Sequence, residues 1–500
     1  VKLYLSDVRR LDAAAARALS SWHGESLYLN ALEALDHASA RAIAAWEGES
    51  LHLDGVQVMD EAAARSLAAW NGRMLSLRGL QHLTEPAARA LAGRPFDHGA
   101  WHLEKVLDLD GIERLDAATA RGLAAWDGGL LSLNGVRALD GETLGNLLGL
   151  TGRLSLNGLD TLDATALPAL SAGHAGNGLS LNGLGQLSVA TARGVAAWPG
   201  AELSLDGVQS LDGTTARTLA SWSGHSLSLD GLRSLDDRAA RGLRQWAGEF
   251  LSLDNVQVLS ETAAQHLAAR SCAHVLGCWG LSLNGVQEID AATARRFAAW
   301  RGLELELNGV TALDAAAARG LASSGGERLQ LNGLRELDGD VAQSLAAWGG
   351  ERLQLNGLRQ LGAPAARGLA AWSGKNLQLN GLRQLGAPAA RGLAAWSGES
   401  LQLNAVRALD ESTAAALATW RGRALFLNGI ETLDPAAVGS LANWGGQSLH
   451  LRGLQLRDEE AARALGRWRG PVLFLEDRYI DEAALRALCE SSRWMGCPIR

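Results

Sequence analysis

Five hundred residues with 46 basic and 54 acidic side chains carry a formal charge of −8, a mild acidity that argues against a nucleic-acid binder. Four cysteines make no disulfide framework, and no stretch is long and apolar enough to span a membrane. Positive charge is almost all arginine, since only Lys2, Lys105 and Lys375 are lysine.

Paired leucines with one residue between them begin at Leu3 and Leu27 and recur through Leu449 and Leu473, 20 starts mostly 24 residues apart. One copy, Leu353 to Gly374, returns letter for letter at Leu377 to Gly398. Leu353 and Leu355 alternate with Gln354, the period of a strand. Asn356-Gly357 breaks that strand, Gly by backbone angles other residues avoid and Asn by bonding backbone in a turn. Leu358 and Leu361 continue inward. From Ala363, the positions Ala365 or Ala366, Leu369 and Trp372 mark one face of a helix, Pro364 suits its first turn, and Gly374 is expected to end it. One strand and one short helix cannot bury an apolar face alone, so the pattern predicts a solenoid built by stacking.

The first copy follows Val1 and Lys2 with no starting Met, so the chain reads as a fragment or a processed product, and its compartment stays open. Insertions fall near 92–106 and 270–280, where loops at the edge of a stack often meet partners. The expected organisation is a solenoid over 1–475 and a polar cap over 476–500.

Stacking turns each repeat position into a column. Trp22, Trp46, Trp70 and their equivalents to Trp468 are expected in the core. The Asn/Asp column, Asn30 and Asp54 through Asn428, is expected to satisfy backbone N–H groups rather than hold Ca²⁺, because no loop gathers several carboxylates. Asp12, Asp36 and their equivalents, with Thr84, Ser188 and Ser260 standing in, are expected helix N-caps. The helical Arg column, Arg17 to Arg463, should face solvent. The outward strand position is Ser from Ser132 to Ser282, Gln at Gln330, Gln354, Gln378 and Gln402, and aromatic at the ends. Beside the glutamines run Arg335, Arg359, Arg383 and Arg407. Together these polar columns suit a carboxylate-bearing peptide or glycan. The plain alternative is duplication, with bonding between Gln side chains as their only role.

There is no phosphate-cradling Gly-rich loop with Lys, no Gly-x-Ser-x-Gly and no His-Glu-x-x-His, so no catalytic residue, metal site or cofactor is assigned. Cys272, His274 and Cys278 lack a fourth ligand, and His98 and His102 sit in a distant insertion. Free buried thiols are expected, with Cys272–Cys278 or Cys489–Cys497 pairing as the alternative in an oxidising compartment.

The Leu-x-Leu strand, the period and the Ala-Arg-Gly-Leu-Ala-Ala helical half resemble the leucine-rich repeat family, in its ribonuclease-inhibitor-like and GALA-type bacterial form, over nearly the whole chain. One departure stands out: Asn356 follows Leu355 directly, where the family places Asn three residues on. The resemblance implies a curved α/β horseshoe with a parallel sheet on one face. It also implies a non-enzymatic protein-interaction scaffold with an unidentified protein or peptide partner; bacterial cytoplasm and secretion both stay open. Aromatic anchors would be Tyr4, Tyr28, Phe426 and Phe474. A structural or self-assembling bacterial surface protein is the second reading.

Overall fold

A computed structural model describes residues 1–94, 105–173, 178–270, 272 and 278–491. The chain divides into two compact units, Val1–Arg233 with Gln245–Leu251, and Ser234–Arg244 with Ser252–Arg500. Both are strand–helix solenoids. In the first, three-residue strands from Lys2–Tyr4 to Ser226–Ser228 pair in parallel, with Leu3 opposite Leu27, Leu27 opposite Leu51 and, at the far end, Leu203 opposite Leu227. In the second, strands from Gly280–Ser282 to Val472–Phe474 pair the same way, from Leu281 opposite Leu305 to Leu449 opposite Leu473. Each strand is succeeded by a short helix, such as Ala363–Ala370. The register advances by one repeat per strand because only that step keeps every inward leucine inward.

The repeated core is as the apolar spacing predicts. Leu353, Leu355, Leu358, Ala366, Leu369 and Trp372 are fully buried, and each such leucine contributes about 2 kcal/mol of burial. Small residues let helices approach: a Cβ at Gly392 would lie 2.7 Å from the Ala366 Cβ. The helical arginines face solvent, and Arg65, Arg89 and Arg463 pair with Glu61, Glu85 and Glu459 one turn earlier.

Two glycine expectations are corrected. Among the described residues only Gly326 has a positive φ (108°), so the turn glycines are not there for backbone angle. A Cβ on Gly357 would lie 2.0 Å from the Asn332 carbonyl oxygen, because each turn crosses the one before it at backbone contact. Ala405 and Asn255 fill the same turn position, so local shifts admit a side chain there. Gly374 does not end its helix, which stops at Ala370 with Ala371 as C-cap. Its missing Cβ makes room for the Trp372 indole, 2.0 Å from where that Cβ would stand.

Helix starts follow the expected caps. Asp36 accepts from the Ser39 N–H at 2.7 Å, and Ser188 and Ser260 do the same for Thr191 and Ala263 at 3.0 Å. Thr84 is a correction: it makes no side-chain cap bond, like Gly362 and Gly386, and all three precede helices with Pro in the first turn. Asp163 leads into a 3-10 helix, Leu167–Ala172, and Asp458 is a cap the column reading omitted. Asp36, Asp140 and Asp290 are held below the usual carboxylate range, first by the N–H of the residue three on. For Asp212 the Thr215 hydroxyl, donating at 2.5 Å, is the larger cause, and Asp410 is held low by its bonds at Thr413 and Ser412. A folded-state pKa below the unfolded one contributes stability above the unfolded value and loses it as pH falls through the folded one. The melting temperature is therefore expected to fall as pH drops below about 4, and replacing Asp36, Asp140, Asp212, Asp290 and Asp410 by Asn should flatten that slope in a thermal-melt series.

The cysteine expectation is also corrected. Cys272 and Cys278 form a disulfide with Cα atoms 5.1 Å apart, and Cys489 is disulfide-bonded too. Most of both insertions, with His98, His102 and His274, and also Cys497, lies outside the described residues. The cap segment contains the helix Glu482–Ser491, which buries Ala484, Ala487 and Leu488.

Candidate partner-binding face

The turn asparagines set up this face. The Asn332 Oδ1 accepts the backbone N–H of Asn356 at 2.9 Å, Asn356 does so for Asn380 at 2.9 Å, and Asn380 for Asn404 at 3.2 Å. In the first unit Asn134, Asn157 and Asn182 repeat the contact at 2.8 Å toward Asn157, Asn182 and Asp206. Asp206 serves equally, accepting from the Asp230 N–H at 3.0 Å. A backbone N–H offers only a donor, so the Asn oxygen must face it. The Asn NH₂ is thereby turned toward the strand face.

What that NH₂ meets differs along the chain. In the first unit it meets serine: Asn157 donates to the Ser155 Oγ at 3.0 Å, and Ser155 donates to the Asn134 Oδ1 at 2.7 Å. Ser180 and Ser204 likewise donate to Asn157 and Asn182. The serine stretch thus satisfies itself, and it lines a shallow groove of about 390 Å³ that also contains the Arg153–Glu202 ion pair.

In the second unit the NH₂ meets glutamine. Asn332, Asn356 and Asn380 donate to the Oε1 of Gln354, Gln378 and Gln402 at 3.4, 3.4 and 3.1 Å. The Gln oxygens are committed, and the Gln NH₂ groups of these three have no partner among the described residues. Gln330 differs, because its NH₂ donates to Glu304 at 2.6 Å. The bonds run from each turn's Asn NH₂ to the Gln oxygen of the next repeat, so direct bonding between glutamines is not what holds the column. The side chains of Arg335, Arg359, Arg383 and Arg407 are exposed and make no ion pair or hydrogen bond among the described residues. Each stands three residues after its ladder Asn, as each Gln stands two before. Arg335 also lines a groove of about 360 Å³ with Thr311, Ala312 and Leu313, which adjoins a larger one of about 750 Å³ reaching Val258. Sequence periodicity holds no sign of these grooves.

The aromatic positions stack along the strand face. Tyr4, Tyr28 and His52 stack with ring centroids 4.3 and 4.2 Å apart. Phe426, His450 and Phe474 stack at 3.9 and 4.1 Å, and Arg452 lies 5.4 Å from the Phe474 centroid. Burial, reinforced by Arg452, holds His450 down to about 4, so it is neutral at pH 7 and its stack is uncharged. Tyr4 keeps 59% exposure; Tyr28, Phe426 and Phe474 are half-buried.

Three charged groups were not singled out by the sequence reading. Asp108, 3% exposed at the outward strand position, is gripped by the Arg78 Nε at 2.7 Å; burial raises its carboxyl while Arg78 opposes that. Arg94 and Arg270 occupy the tryptophan column, three residues after Leu91 and Leu267, and burial lowers each to about 10. Arg94 lies 5.1 Å from the Trp70 ring centroid and donates to the Gly72 carbonyl at 2.8 Å, so a guanidinium takes the place of an indole. Counting that column position would have found both. Among the described residues, no group of three His, Cys, Asp or Glu side chains is placed to hold a metal ion.

No family model matches the chain, and no curated protein matches it. The fold is a leucine-rich-repeat-like solenoid. Solved structures with related architecture include a TLR13–ssRNA13 complex, 17% identical over 95% of this chain and 68% of that one, at a TM-score of 0.49. An internalin (inlF) from Listeria monocytogenes is 14% identical over 83% and 90% of the two chains, at 0.32. The Toll–Spatzle complex of Drosophila is 12% identical over 77% and 52%, at 0.46. Likenesses this distant carry no argument about what this chain binds.

Proposed function

We propose that this chain is a non-enzymatic protein-interaction scaffold, of the ribonuclease-inhibitor-like or GALA-type bacterial kind, that engages a protein or peptide along the strand side of its second unit. The repeats over 1–475 are the working surface and 476–500 its cap. One observation carries the reading: consecutive repeats hold out donor groups, the NH₂ of Gln354, Gln378 and Gln402 and the guanidinium of Arg335, Arg359, Arg383 and Arg407, that have no partner among the described residues. Polar groups held in a fixed geometry with their donors unused lower the ordering cost of binding. The Phe426–His450–Phe474 stack adds an apolar edge beside this row in the second unit, and the Tyr4–Tyr28 stack gives the first unit an apolar edge of its own.

The test is to map a captured partner by cross-linking mass spectrometry on the intact chain. Cross-links are expected at strand-side residues between Gln330 and Arg407. Cross-links confined to the helical arginines, such as Arg319 and Arg367, would place the partner on the opposite face and refute the reading.

A further inference from the structure

We propose that the strand side between Gln354 and Phe426 takes an acidic peptide segment that ends in an apolar side chain. This rests on the scaffold reading above and names its ligand class. The argument is one of polarity. A side-chain amide is ordinarily ambivalent, offering a donor at one end and an acceptor at the other. Here that freedom is removed in steps. The backbone N–H of Asn380 claims the Asn356 oxygen at 2.9 Å. The Asn356 NH₂ then claims the Gln378 oxygen at 3.4 Å. The Gln378 NH₂ is left over, and the same chain of bonds leaves the NH₂ of Gln354 and Gln402 over as well.

The row therefore presents donors of one kind. Arg359, Arg383 and Arg407 are donors only, so the side-chain groups left without a partner in the two columns are all donors. Neighbouring parallel strands lie about 4.8 Å apart, which repeats the donor pair at each rung. Carboxylates are acceptors only and carry the complementary charge. The three guanidiniums carry positive charge with no ion-pair partner among the described residues, on a chain whose net charge is −8.

The row's neighbour selects peptide over polysaccharide. Gln402 stands directly opposite Phe426, whose ring is half-buried and stacked on His450. A uronate packs against an aromatic through the ring's face, one side of which His450 covers here, whereas an apolar side chain can pack against its edge. A peptide carries both carboxylates and such a side chain.

The probe is a fluorescein-labelled synthetic peptide of four glutamates followed by leucine, titrated by anisotropy against the full chain. Its counterpart with Gln for every Glu serves as control. Binding is expected for the acidic peptide, weakening with salt, and roughly tenfold or more tighter than for the control. The R359A/R383A/R407A variant should lose roughly tenfold or more in affinity. The Q354S/Q378S/Q402S variant should lose about threefold to tenfold, the effect of neutral donors. It leaves net charge unchanged, and serine already serves this position at Ser180, Ser204 and Ser228 with the ladder intact. Equal binding of both peptides overturns the proposal, as does affinity unmoved in the two variants. So does polygalacturonate competing as well as the peptide, since that makes the ligand a polysaccharide. A strand-side partner mapped by cross-linking but not displaced by the acidic peptide leaves the scaffold standing and removes only the acidic ligand.

Discussion

Replacing Trp396 with alanine is expected to lower the unfolding free energy by about 3–5 kcal/mol, the range for emptying a buried aromatic site. The indole is 1% exposed and stacks between Trp372 and Trp420, with centroids 5.6 and 5.9 Å away and planes within 3° and 5°. The ring is a spacer between repeats as well as a filler. Its neighbours cannot close the gap, because Trp372 and Trp420 are held by their own glycines, Gly374 and Gly422, with the ring atoms lying where a Cβ would stand. Urea denaturation followed by far-UV circular dichroism measures the loss. Stability in a solenoid resides in the contacts between adjacent repeats, so hydrogen exchange should quicken first in the repeats on either side of residue 396. A loss under 1 kcal/mol would mean that the stack tolerates a missing rung.

The second large effect is at the ladder. Asn356→Leu removes the acceptor of the Asn380 N–H and the donor to Gln378 while keeping much of the side-chain volume. An unsatisfied N–H of this kind costs about 1–3 kcal/mol. Asn356→Asp is expected to recover most of that, because Asp206 and Asp254 already hold the next turn's N–H at 3.0 Å. A denaturation series on the two variants checks the order. If Leu and Asp cost the same, the ladder bond contributes nothing, and the amide polarity built on it falls as well.

Much of this was legible in the sequence, for a physical reason. Leu353, Leu355, Leu369 and Trp372 are buried because spacing along the chain maps directly onto facing in a strand or helix. The caps are local too: Asp36 and Asp434 bond an N–H three residues away. The columns of Gln330 to Gln402 and Arg335 to Arg407 are readable as letters. Their bonding is not, because each Gln answers to an Asn 22 residues earlier, and which end of an amide is used depends on what the neighbouring repeat demands.

The misread glycines make the same division clear. Gly357 looks like a local turn residue, yet a carbonyl one repeat away dictates it, while Gly374 answers to a neighbour two residues back, the ring of Trp372, whose placement the stack of repeats decides. The sequence by itself determined the period, the inward faces and the helix starts, since these depend on residues within a few positions of one another. Only the tertiary structure decided that the cysteines pair, that Arg94 stands in for an indole, and that Gln354, Gln378 and Gln402 turn their donors outward. Cys272 and Cys278 pair within one insertion, six residues apart, whereas the other two depend on contacts between repeats, where hydrogen-bond direction is settled by the backbone N–H next door.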